Sequence, residues 1–151
     1  MSRLCVENFG PAKKCDIEIN HLTILVGNQG TGKSTIAKLY SSLVWLEKAY
    51  RTKRKDIKKK LSKSAFSKLL EFQQISVYLQ DNTFISYDGD FCRIEFKDSV
   101  PTIEIKNTFR EYVLPKIQYI PAERNLLSVV DKYVQMQYLS DLLQNFIETF
   151  D

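Results

Sequence analysis

The chain opens on two short apolar segments, Leu4-Cys5-Val6 and Cys15-Asp16-Ile17-Glu18-Ile19, the second alternating cleanly with polar residues. Asn8-Phe9-Gly10-Pro11 lies between them and has turn composition, so a pair of strands around that turn is expected. Phe9 reads as a core anchor of the turn, with a place near a nucleobase as the alternative. The third run, Leu22-Thr23-Ile24-Leu25-Val26, is continuous and partly β-branched, which predicts a strand buried on both faces. Beyond it the period changes. Ile36, Leu39, Tyr40, Leu43, Val44 and Glu47 fall at helical spacing, with the apolar residues on the face that packs on a sheet. This helix is expected to run into the basic segment that follows it, and a second covers roughly 61–74.

From Ile75 the period returns to two. Ile75–Leu79, Thr83–Tyr87, Arg93–Phe96 and Thr102–Ile105 read as antiparallel strands of a meander, with Asp88-Gly89-Asp90 as a hairpin turn. Lys116–Ile120 predicts one more buried strand, stopped by Pro121. The end is a helix in which Leu139, Leu142, Leu143, Phe146, Ile147 and Phe150 form one stripe. Trp45, Tyr40 and the phenylalanines of that last helix read as core. The last helix has no glycine cap and no basic last turn, and its stripe reaches Phe150. The expectation is therefore a lobe of a longer protein, or a chain that needs a partner.

Composition narrows the class without naming a chemistry. A length of 151 residues suits one domain, and 44% hydrophobic with 26% charged residues is ordinary for a globular protein. No apolar stretch is long enough to span a bilayer, and the first residues lack the pattern of a secretory signal. Cys5, Cys15 and Cys92 are odd in number and lack metal-ligand spacing, so they read as reduced, mostly buried thiols. A cytoplasmic protein without a membrane partner is expected.

Charge is concentrated rather than spread. Arg51 to Lys63 holds eight basic residues and the single acid Asp56; outside it 14 basic residues stand against 17 acidic ones, from totals of 22 and 18. A phosphate backbone of DNA or RNA could take such a patch. With no aromatic residue interleaved for base stacking, a solvated helical face or loop is the reading preferred.

The chemistry sits at Gly27-Asn28-Gln29-Gly30-Thr31-Gly32-Lys33-Ser34, which fits G-x-x-x-x-G-K-[ST] at every fixed position. Glycines let the backbone curl so that successive N–H groups cradle phosphate oxygens. The helix that starts near Lys33 adds its positive end. Lys33 supplies a point charge for the β and γ phosphates, and the Ser34 hydroxyl is a hard ligand for magnesium (Mg2+). The bland reading is a glycine turn joining a strand to a helix, and the flanking pattern favours the phosphate site. Residues Gly27, Asn28, Gln29, Gly30, Thr31, Gly32, Lys33, Ser34 and Thr35 are the candidate nucleotide contacts, with ATP and magnesium as cofactors.

Taken together, Asn8-Phe9-Gly10-Pro11, Asp16-Ile17-Glu18-Ile19 and Leu22 through Thr35 resemble the N-terminus of SMC-like, ABC-type ATPase heads. Such heads occur in recombination and repair proteins, overcoming-lysogenization-defect nucleases and AAA-labelled anti-phage ATPases. Tyr119-Ile120-Pro121-Ala122-Glu123-Arg124 resembles a segment that recurs in those last branches. The resemblance implies an α/β fold: a P-loop NTPase lobe with a mixed β-sheet, an antiparallel β-meander and flanking helices. It implies that residues 1–151 form an N-terminal nucleotide-binding lobe. A C-terminal lobe or a second copy would complete the site across the nucleotide, and the whole protein would serve DNA transactions or phage defence.

Departures from the family pattern limit the activity expected. No Leu-Ser-Gly-Gly signature occurs, and Leu139-Ser140-Asp141 lies within the amphipathic helix. Leu127-Ser128-Val129-Val130-Asp131 is the nearest approach to a Walker B strand, but Lys132 stands where a catalytic glutamate belongs. His21 precedes the phosphate loop and reads as a turn residue. Glu123 and Arg124 stand about where a magnesium-facing glutamine is expected, with helix capping an equal role for Glu123. Hydrolysis also needs a positioned water and charge stabilisation, so no catalytic residue is assigned and the lobe is expected to be a poor ATPase alone. The rivals are a small P-loop kinase and a non-hydrolysing, nucleotide-controlled interaction module.

Overall fold

The computed structural model describes residues 2–52, 61–106 and 117. By contact density the chain divides into Met1–Ile117 and Gln118–Asp151, and every described residue belongs to the first unit. Five strands form one sheet: β1 (Ser2–Phe9), β2 (Ala12–Ile19), β3 (Phe84–Asp88), β4 (Cys92–Lys97) and β5 (Val100–Ile105). Two helices, α1 (Lys33–Thr52) and α2 (Lys63–Phe72), lie between β2 and β3 in the chain. Strand order is β2-β1-β3-β4-β5, and every pair is antiparallel. The architecture is thus mixed α and β, while the sheet expected to be mixed is antiparallel throughout among the described residues.

One face of the sheet is apolar because alternate side chains point the same way. Leu4 and Val6 of β1, Ile85 and Tyr87 of β3, and Cys92, Ile94 and Phe96 of β4 are buried there. They form a core with Ile36, Leu39, Leu43 and Leu46 of α1 and Phe66 and Leu70 of α2. Phe66 stacks on Phe96 with ring centres 5.2 Å apart. The other face is polar. Pairing places Glu18, Arg3, Asp88, Arg93 and Glu104 in one row across all five strands, so charge alternates along it. Arg3 donates two hydrogen bonds to Asp16, at 2.9 and 2.7 Å, and these hold the Asp16 carboxyl well below the usual carboxylate range.

Several expectations are corrected. Leu22–Val26 is neither a strand nor buried on both faces: Leu22, Ile24 and Val26 are 79%, 73% and 90% exposed. Only Leu25 of this run packs against the core. Ile75–Leu79 is not a strand either. Helix α2 ends with Gln74 N–H on the Glu71 carbonyl and Ile75 N–H on the Leu70 carbonyl, with Gln74 at φ 58°. This αL ending drives Ile75 into the core beside Leu70, and a 3-10 turn, Ser76–Tyr78, follows. Trp45 is not core but half exposed on α1. The strand expected at 116–120, the last helix, Asp131, Glu123 and Arg124 fall outside the described residues, apart from Ile117. So does the middle of the basic segment, residues 53–60; at its edge the Arg51 guanidinium lies 5.0 Å from the centre of the Phe91 ring.

Among the described residues no helix is long and apolar enough to cross a membrane. Cys92 is buried, and Cys5 and Cys15 are partly so. Burial, followed by the Glu47 carboxylate, pushes the Cys92 thiol up to about 12. The Tyr87 phenol is raised by the same two causes in the same order.

Candidate phosphate-binding loop

The loop spans the gap between the Leu22–Val26 segment and the first turn of α1. Gly30 and Gly32 take φ of 80° and 91°, a backbone region where a Cβ is strained. The curl they permit brings the chain round to begin α1 at Lys33, and the first helical bond runs from Ile36 N–H to the Gly32 carbonyl at 2.9 Å. The amides of Lys33, Ser34 and Thr35 therefore belong to the first turn, where no intrahelical acceptor exists. Those three N–H groups and the positive end of α1 form an anion-binding arrangement.

Two side chains hold the loop closed. Thr31 Oγ1 donates to the Asn28 carbonyl at 2.8 Å. The Lys33 ammonium bonds the carbonyls of Gly27 at 2.7 Å and Asn28 at 2.5 Å, with Thr31 Oγ1 at 3.5 Å. The lysine is thus folded back onto its own loop, satisfying carbonyls that the curl would otherwise leave to water. Ser34 is exposed and Thr35 is 8% exposed, so the serine hydroxyl is the more accessible of the two. Among the described residues no group of three or more His, Cys, Asp or Glu could hold a metal ion. A magnesium held by one hydroxyl, phosphate oxygens and water requires no such group.

The loop rests on the β1–β2 turn. A Cβ added to Gly32 would stand 3.2 Å from the Ala12 nitrogen and 3.3 Å from Pro11 Cγ, so only glycine lets the backbone approach this closely. That turn is itself fixed. Phe9 is fully buried, Asn8 Nδ2 donates to the Asn82 carbonyl at 3.2 Å, and Thr83 Oγ1 donates to the Asn8 carbonyl at 2.7 Å. Tyr78 closes the other side: a Cβ on Gly10 would fall 2.6–2.9 Å from three atoms of its ring. The Tyr78 ring also meets Phe9 edge-on at 5.8 Å.

Gly27 through Gly32 form the loop, Lys33 through Thr35 the first turn of α1, and Phe9 lies in the core. His21 is exposed in a bend. Sequence reasoning missed Tyr78, which it put in a strand. Its neighbours Val77 and Leu79 are both apolar, so the local pattern gave no signal that set it apart. It also missed Glu47 as a buried carboxylate near the far end of α1. There Glu47 accepts from Tyr87 Oη at 2.6 Å and from the amides of Phe91 at 2.6 Å and Cys92 at 3.2 Å. No protein-family model matches this chain, and comparison with curated proteins and with solved structures gives no similar protein at a significant level.

Proposed function

We propose that the chain binds the phosphates of a nucleoside triphosphate, ATP with magnesium, through Gly27–Thr35. The observation that carries this reading is the coincidence of motif and geometry. The residues that fit the phosphate-loop pattern are those that curl through left-handed glycines into the N-terminus of α1. In this reading the amides of the first turn hold phosphate oxygens. Lys33 leaves the Gly27 and Asn28 carbonyls for the β and γ phosphates, and Ser34 offers its hydroxyl to magnesium.

The chain acts in this proposal as the N-terminal lobe of an SMC- or ABC-like ATPase head, completed by a further lobe or a second copy. The exposed side chains of Leu22, Ile24 and Val26 support it. Apolar residues in the segment entering the loop fit a strand that acquires partners only when the head is completed. The same observation favours the nucleotide-controlled interaction module over the small kinase. DNA transactions or phage defence are the biology this family reading suggests.

Calorimetric titration of magnesium and ATP into the wild type and Lys33→Ala, with phosphate release followed in parallel, tests the proposal. Binding by the wild type, lost in Lys33→Ala and without turnover, is expected. Steady turnover would refute the incomplete-lobe reading, and the absence of binding would refute the phosphate site. A rise in mass with concentration in the presence of ATP separates the module from the kinase.

A further inference from the structure

The Lys33 ammonium has three protons to donate, and three oxygens of its own loop stand around it. They are the carbonyls of Gly27 at 2.7 Å and Asn28 at 2.5 Å, and Thr31 Oγ1 at 3.5 Å. The Asn28 carbonyl is the junction of the arrangement. It accepts from Lys33 and, at 2.8 Å, from Thr31 Oγ1, so both of its lone pairs are used. Both side chains lie over Gly27, where an added Cβ would stand 3.2 Å from Thr31 Oγ1 and 4.0 Å from Lys33 Cδ. The curl is therefore closed with carbonyl oxygens facing a cation. A phosphate needs the reverse, N–H groups facing an anion.

The two ends of the curl are held unequally. Gly32 is pinned to the β1–β2 turn, where a Cβ would meet three atoms of Pro11 and Ala12 at 3.2–3.4 Å. Asn28 through Thr31 are exposed, and among the described residues no heavy atom comes within 4 Å of a Cβ built on Gly30. Hydrogen bonds from Thr31 and Lys33, more than packing, keep this crest in place. Lys33 is the group the phosphates must win over, which leaves the Thr31 hydroxyl as the bond that opposes the change.

We propose that Thr31 is a positioning residue that latches the loop in this closed arrangement, and that its hydroxyl sets how readily Lys33 passes to a phosphate. The inference rests on the phosphate reading of Gly27–Thr35. A ligand that must open the latch binds with its intrinsic affinity reduced by the fraction of loop that is open, so weakening the latch tightens binding.

Thr31→Val keeps the branched shape and removes the hydroxyl, while Thr31→Ser keeps the hydroxyl. The position is exposed, so neither variant disturbs the core. Calorimetry with magnesium and either ATP or inorganic tripolyphosphate, and stopped-flow binding of a fluorescent ATP analogue, test the latch. Thr31→Val is expected to bind both ligands about fivefold more tightly than the wild type, through faster association with dissociation unchanged. Thr31→Ser should stay within about twofold of the wild type. Unchanged or weaker binding by Thr31→Val, an equal gain in Thr31→Ser, or a gain carried by slower dissociation would overturn the latch and leave the phosphate site standing. Failure of all three proteins to bind either ligand would remove the phosphate reading and the latch with it.

Discussion

Replacing Glu47 by alanine tests the junction that fixes α1 to the sheet. The carboxylate is 2% exposed and accepts from three donors, the Tyr87 hydroxyl and the amides of Phe91 and Cys92. Alanine would leave all three buried without that acceptor. At about 1–3 kcal/mol for each unsatisfied donor, partly relieved by water entering the vacated space, the net loss should be about 3–5 kcal/mol. Glu47→Gln retains one oxygen for the two amides, while its NH2 must donate to Tyr87 Oη; a cost of about 1–2 kcal/mol follows. Gly89 lies directly against the carboxylate, where a Cβ would collide with it, so the hairpin is shaped around Glu47. Urea melts of Glu47→Ala, Tyr87→Phe and the double variant measure the coupling directly, and about 1.5–3 kcal/mol is expected for a hydrogen bond to a charged acceptor. A loss under about 1 kcal/mol for Glu47→Ala, or additive single variants, would refute the reasoning.

Raising the pH should destabilise the fold through Cys92 and Tyr87. Both groups hold their protons more tightly when folded, Cys92 up to about 12 from a reference of 9.0 and Tyr87 upward from 10.0. Below pH 9 both states keep these protons and neither group contributes a pH dependence; above it the unfolded chain releases the thiol proton first. Stability therefore falls as pH rises from about 9 towards 12, by up to about 1.4 kcal/mol per unit for the thiol, and Cys92→Ala should flatten that slope in melts between pH 8 and 11. Gly32→Ala places a Cβ against Ala12 and Pro11 at a φ of 91°; a loss of about 1–3 kcal/mol in thermal melts and weakened ATP binding are expected. Gln73 buries an Oε1 that has no hydrogen-bond partner, so Gln73→Met should be neutral or stabilise by up to about 1 kcal/mol in the same melts.

Where one face is buried and the other wet, the sequence was readable. Ile85 and Tyr87, then Cys92, Ile94 and Phe96, alternate inward, and the helical stripe from Ile36 to Leu46 faces the core as its spacing indicates. Turn chemistry was harder. Asp98 and Ser99 both take positive φ, 51° and 61°, between β4 and β5, with no glycine to announce a hairpin of this kind. The Leu22–Val26 run shows the limit of periodicity, because burial depends on what packs against a segment as well as on its own side chains. Glu47 sits in an apolar stripe, and its partners lie 40 to 45 residues further along the chain, so spacing alone gave no sign of them. The curl from Gly27 into α1, in contrast, was legible because Gly30 and Gly32 mark positions of positive φ just before the helix.

The two outermost strands have a consequence for self-association. Strand β5 carries Pro101, which has no backbone proton to offer an incoming strand. Strand β2 carries adjacent lysines, Lys13 and Lys14, and the acids Asp16 and Glu18, whose charges oppose docking of an apolar strand. Among the described residues the sheet is thus defended at both ends against edge-to-edge growth into larger aggregates. Strongly exposed apolar side chains are found instead at Leu22, Ile24 and Val26, outside both of these strands and beside the glycine loop.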